Sequence, residues 1–202
     1  MTKVLVLHSV SLVRSALAAL LRSEGDFDVA SAGWHTAARS VDALQPDVAV
    51  VDADCPGATA LLAGDARSRR RPLTPPAPLL VLATAGTPGT LGRAFQAKAL
   101  GYVDKDGSPS RLVRAVRKVA AGERFIDASL ASAFMEADPV PLSPRELSVL
   151  ARAAEGDSVA EIARALHLAC GTVRNYMAAA TRKTGARNRI DAIRISRTAG
   201  WV

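Results

Sequence analysis

Short unbroken apolar runs alternate with helical periodicity over residues 1–121, and helical periodicity alone fills residues 143–202. Val4–Leu7, Val48–Val51 and Leu79–Leu82 are continuous runs of valine, leucine and alanine, the pattern of strands buried on both faces of a parallel sheet. Phe27–Ala30 and Tyr102–Val103 add two shorter candidates. Between them lie helical patterns over Leu12–Arg22, with Val13, Leu17, Leu20 and Leu21 to one side, over Thr36–Leu44, Thr90–Ala99 and Pro109–Ala121. Such alternation predicts an α/β unit, a doubly wound five-stranded parallel sheet. The functional site of such a sheet lies at the carboxyl ends of its strands. One stretch breaks the rhythm: Asp65–Pro78 carries Arg67, Arg69, Arg70, Arg71 and four prolines, which predicts a long exposed loop.

The tail has well-marked helix starts. In Ser143-Pro144-Arg145-Glu146 the serine can cap, the proline sits where no N–H is missed, and the glutamate can reach back to the cap. Leu147, Leu150, Ala151 and Ala154 then give one apolar face, and Gly156 a left-handed stop. Ser158-Val159-Ala160-Glu161 repeats the signal for a second helix ending near Leu166, with Ile162, Ala163 and Leu166 inward. After a turn around Leu168–Cys170, a third helix is predicted over Gly171–Thr184, with Val173, Met177 and Ala180 inward. Two short helices joined by a tight turn read as a helix-turn-helix, whose second helix enters the DNA major groove with its N-terminal half. Thr172, Arg174, Asn175 and Ala178 are then the base-facing residues. Arg174 can bond a guanine edge and Asn175 an adenine edge in bidentate fashion, while Arg182 and Lys183 are placed to hold phosphates.

These residues carry a resemblance. L-S-P-R-E, E-I-A, T-V-R-N-Y, K-T-G-A and R-N-R-I-D-A, spread over Leu142 to about Ala199, resemble the LuxR-type DNA-binding domain. That resemblance implies a fourth helix, here about Asn188–Arg197, taking part in dimer contacts through Ile190, Ile193 and Ala192. It also marks departures. Ala169 stands where the recognition helix is usually capped by a polar residue and Gly171 where a more polar helix former is common, so the helix is expected to start about 1 kcal/mol less firmly. Ala178 and Ala179 replace groups that relatives often present as polar or basic, which implies fewer base contacts.

The strand ends of the first unit give His8 and Ser9, Asp52, Ala83 and Thr84, and Lys105. With P-D-V-A-V-V-D-A-D-C-P-G and G-Y-V-D-K-D they resemble the flavodoxin-like receiver domain of NarL/FixJ-type response regulators. The resemblance implies that Asp52 is the phosphoacceptor, that Lys105 pairs with it, that a hydroxyl at the end of the fourth strand bonds the phosphoryl group, and that Tyr102 is the aromatic that changes rotamer. Receivers normally hold Mg2+ on two adjacent acidic residues after the first strand; here His8 and Ser9 occupy those positions. A hard dication wants carboxylate oxygens, so Mg2+ binding is expected to be weak or absent even if Asp54 lends its carboxylate. The hydroxyl position falls on Ala83 unless Thr84 substitutes.

Charge supports this division. The chain of 202 residues carries a net charge of +7, as suits a polyanion partner. Residues 143–202 hold ten Lys and Arg against five Asp and Glu, whereas 122–142 hold one against four. The expected organisation is a receiver over 1–121, a linker over 122–141 and a small all-α helix-turn-helix domain over 142–202. Cys55 and Cys170 lack partners at zinc-ligand spacing, and no apolar run is long enough for a membrane span or signal peptide, so a cytoplasmic protein with no structural metal is expected. No nucleophile and base pair, phosphate loop or metal cluster suggests an enzyme. The reading is a dimeric, sequence-specific regulator of transcription on double-stranded DNA, with an atypical receiver independent of phosphorylation. Slow phosphorylation of Asp52, a small molecule or partner protein at the receiver pocket, and an RNA-binding receiver protein are the other readings.

Overall fold

The computed structural model describes residues 1–55, 57–62, 77–85, 88–136 and 140–202. Most of the arginine- and proline-rich stretch predicted as a loop lies outside them.

The first unit runs β1 (Thr2–Leu7), α1 (Ser11–Arg22), β2 (Phe27–Ala32), α2 (Ala37–Leu44), β3 (Val48–Asp52), α3 (Ala58–Leu62), β4 (Leu79–Ala83), α4 (Pro88–Gln96), β5 (Gly101–Asp104), α5 (Pro109–Ala120) and β6 (Phe125–Ile126). All strand pairs are parallel, in the order β2-β1-β3-β4-β5-β6. Alternate residues feed two apolar layers. Leu5, Leu7, Val51 and Val81 pack with α2, α3 and α4, while Val4, Val6, Val50 and Leu80 pack with α1 and α5. Both faces are buried, which is why the strands carry no polar alternation. Strand order reverses between β1 and β3, so His8 and Asp52 meet at the crevice where ligands of open parallel sheets bind.

Two expectations need correction. The sheet has six strands, because Phe125 and Ile126 pair with Gly101 and Tyr102 along its outer edge. The stretch expected to be a linker is folded up to residue 136: a 3-10 turn (Ala128–Leu130) leads into α6 (Ala131–Glu136), and Leu130 and Ala133 are buried in the receiver core. Phe134 sets its ring at right angles to Tyr102, 4.8 Å between centroids. Asp127 caps the turn through Ser129 and accepts Arg111 Nη1 at 2.8 Å. The acidic residues that suggested a linker include this cap.

The helical unit contains α7 (Pro144–Ala154), α8 (Val159–Leu166), α9 (Cys170–Lys183) and α10 (Arg189–Thr198). Both predicted capping boxes form: Glu146 and Glu161 each accept the N–H of the capping serine and donate their own N–H to its hydroxyl. The α8–α9 turn is made by His167 in the left-handed conformation, φ 54°. Ala169 caps α9 without any side-chain bond. Among the described residues no helix is long and apolar enough to cross a membrane.

Candidate functional site

At the receiver crevice the carboxylate of Asp52 is held by three donors. Lys105 Nζ reaches Oδ1 at 2.6 Å, the Asp54 backbone N–H reaches the same oxygen at 2.8 Å, and His8 Nε2 lies 3.3 Å from Oδ2. The backbone fixes the tautomer of His8. Val10 N–H donates to Nδ1 at 2.9 Å, so the lone pair is there and the ring proton is on Nε2, facing Asp52.

Lys105 also binds Asp54 Oδ2 at 2.6 Å, with Thr90 Oγ1 3.4 Å from the other Asp54 oxygen. Burial disfavours the Lys105 ammonium, but the hydrogen bonds to Asp52 and Asp54 outweigh it and hold its pKa above the usual lysine value. Arg93 of α4, only 3% exposed, donates to Thr90 Oγ1 at 3.3 Å. Burial pushes its pKa down to about 10 against the upward pull of Asp54. Sequence reasoning missed Thr90 and Arg93; the signal was an arginine on the apolar side of α4, three residues after a threonine. Gly89, next to Thr90, lies so close to the Ala199 carbonyl that a Cβ there would overlap it, which puts the end of the helical unit beside this network.

Other predicted pocket residues do not converge. The Ser9 hydroxyl lies 2.7 Å from Cys55 Sγ, which also receives Ser9 N–H at 3.0 Å and Trp34 Nε1–H at 3.3 Å. Ala83 is fully buried and offers only its carbonyl, which accepts Lys105 N–H at 2.9 Å; Thr84 is half-buried just beyond. Tyr102 points inward onto Phe134, and burial raises its pKa to about 12.

On α9 the exposed residues Arg174, Asn175, Ala178 and Arg182 share one face, and Thr172 is half-buried at its start. The cations of this unit differ in what they bind. Lys183 binds Glu146 at 2.7 Å, Arg152 binds Asp157 at 2.7 Å, Arg194 binds Asp191 at 2.7 Å, and Arg197 donates to the Ala154 carbonyl. Arg174, Arg182 and Arg189 have no ion-pair partner among the described residues. Lys183, expected on phosphate, is therefore tied to the cap of α7, and Arg189, the first residue of α10, joins the open face in its place. Of the residues expected at a dimer contact, Ile190 is 74% exposed and Ile193 half-buried. Ala192 is wholly buried in the domain core and has no surface to give a second copy.

Residues 140–196 match the family model of bacterial regulatory proteins of the luxR family. Over the whole chain, the response regulator RamR of Streptomyces coelicolor is 49% identical, the alignment covering 100% of this chain and 98% of that protein. The chain belongs to the LuxR family of DNA-binding response regulators. The transcriptional regulatory protein DesR of Bacillus subtilis is 34% identical, with 100% and 99% covered. A solved structure of RcsB from Salmonella enterica, bound to a promoter in the presence of a phosphomimetic, superposes with a TM-score of 0.69 at 21% identity, covering 98% of each chain, which shows agreement of fold.

Proposed function

We propose that this response regulator is a sequence-specific transcription regulator that binds duplex DNA as a homodimer and does not depend on phosphorylation of Asp52. The observation that carries the second part is the Nε2–H of His8 on Asp52. A receiver needs Mg2+ at this point, and the residues present do not fit it. Where an acidic pair would supply hard oxygens, His8 turns an N–H toward the crevice and Ser9 turns its hydroxyl to Cys55. Lys105 is already shared between Asp52 and Asp54, so one ammonium serves two carboxylates. An incoming phosphoryl group would meet a carboxylate whose donors are in place, and would bring more negative charge to a Lys105 ammonium already shared by two carboxylates.

The DNA reading rests on the face of α9 and the start of α10, where the guanidinium groups of Arg174, Arg182 and Arg189 stay open while Lys183 and Arg194 are held in ion pairs. Arg174 and Asn175 are assigned to base edges, and Arg182 and Arg189 to phosphates. Ile190, exposed beside Arg189, is assigned to the dimer contact. A second reading, slow phosphorylation, is favoured by Lys105, which keeps the family's pairing with Asp52.

The test is intact mass after incubation with a small phosphodonor and Mg2+, with Asp52→Asn alongside and DNA binding measured on both. No adduct with binding intact is expected. An adduct absent from Asp52→Asn selects the second reading.

A further inference from the structure

The reading stripe of α9 is interrupted by a methyl group. Arg174, Ala178 and Arg182 follow one another at intervals of four and are all exposed. Around Ala178 opens a trough of about 570 Å3, whose lining includes the half-buried apolar side chains of Val159 and Met177, over the fully buried Ile162, and the guanidinium residues Arg174, Arg182 and Arg189. Val159 and Ile162 come from α8, so the trough lies where the two helices of the helix-turn-helix touch. An apolar lining among open guanidinium groups suits a polyanion that carries an apolar group toward the protein. In the major groove only one base does so: thymine, through its C5 methyl.

We infer that Ala178, with Met177 behind it, reads thymine methyl groups of the operator, so that the position where relatives often place a polar or basic reader here selects A·T pairs by apolar contact. This rests on the DNA face proposed above and adds the base that it selects. The trough is partly open to solvent, unlike the enclosed cavities that bury small molecules. Arg182 and Arg189, also in its lining, are the two assigned to the flanking phosphates. Arg174 then bonds the guanine edge beside the thymine, and the operator half-site should hold a guanine next to a thymine on the face read by α9.

The experiment selects preferred duplexes from a random pool with the full chain, then replaces each thymine in turn by deoxyuridine, which removes the methyl and nothing else. One thymine per half-site, adjacent to the guanine read by Arg174, should lose about fourfold in affinity, the worth of one buried methyl-sized group. In Ala178→Lys that loss should vanish and the preference move toward guanine. Ala178→Ser, which keeps the helix surface intact, should reduce it. Selective binding with no thymine sensitive to deoxyuridine would overturn methyl reading while leaving the DNA face standing. Sensitivity unchanged in both variants would place the methyl against other residues and equally overturn it. If no sequence is selected at all, the assignment of base readers to α9 fails along with this inference.

Discussion

Lys183 separates the two kinds of cation on the helical unit, and replacing it by alanine has a consequence that can be worked out from the structure. Its ammonium lies 2.7 Å from Glu146 Oε2, the oxygen that also accepts Ser143 N–H at 2.7 Å to cap α7. The Glu146 side chain is 7% exposed and that of Lys183 41%. Loss of a hydrogen bond to a charged group costs about 1.5–3 kcal/mol when its partner stays buried. The exposed lysine end is screened, which brings the expected cost of Lys183→Ala down to about 1 kcal/mol. Glu146→Ala removes the capping box as well, at about 1 kcal/mol more. For a domain of this size 1 kcal/mol corresponds to about 4–8 °C in melting temperature. Trp201 packs against the core of this unit and borders Gly89 of the receiver, so its fluorescence in a Trp34→Phe background reports the unit together with that contact.

The companion measurement is the salt dependence of DNA binding. Arg182→Ala should leave the melting temperature unchanged and lower the slope of log affinity against log salt by about one phosphate contact; Lys183→Ala should do the reverse. Acid gives a further check. Burial works to raise the Glu146 pKa, but Lys183 and the Ser143 bonds outweigh it and hold it below the ordinary value of 4.5. The stabilisation is therefore fully present above that value and is lost as pH falls through the lower folded one, so wild type and Lys183→Ala should converge in acid. A salt slope that falls by about one in Lys183→Ala, with its melting temperature unmoved, would show that the lysine leaves Glu146 for phosphate and would refute the division of cations drawn above.

Three further outcomes are expected. Restoring an acidic pair with His8→Asp and Ser9→Asp should create millimolar or tighter Mg2+ binding by calorimetry and allow a phosphodonor adduct on Asp52; a folded double variant that binds no Mg2+ would mean that the crevice excludes the ion for a reason other than its donor set. Ala169→Ser, at a backbone already extended (φ −73°, ψ 146°), should supply the missing cap of α9, stabilise the unit by about 1 kcal/mol and so raise the Trp201 melting midpoint by about 4–8 °C, and an unmoved midpoint would show that the cap does not limit this helix. In a Tyr176→Phe background, ultraviolet titration should show the Tyr102 phenol ionising at about 12 rather than near 10, because burial disfavours the phenolate. Its contribution to stability is full below about pH 10 and lost as pH rises through the folded value; ionisation near 10 in the folded protein would mean that Tyr102 swings out to solvent.

How much of this was legible in the sequence depended on the range of the interaction involved. Both capping boxes rest on residues three apart, and both formed as read. The continuous runs at Val4, Val48 and Leu79 became strands because burial on both faces leaves a pattern that no helix of that length would show. β6 left too little trace: two residues, paired by position alone, inside a stretch whose charge resembled a linker. Lys183 and Glu146 are 37 residues apart, so nothing local told a phosphate contact from a cap tether. The receiver crevice shows the same limit most sharply. That His8 replaces an acidic residue was plain, but whether it offers a lone pair or a proton depends on a backbone N–H two residues on, whose direction is set by the turn out of β1. With that N–H on Nδ1, the ring must present its proton to Asp52, and a substitution that sequence could record only as a missing carboxylate becomes a donor that occupies one side of the acceptor.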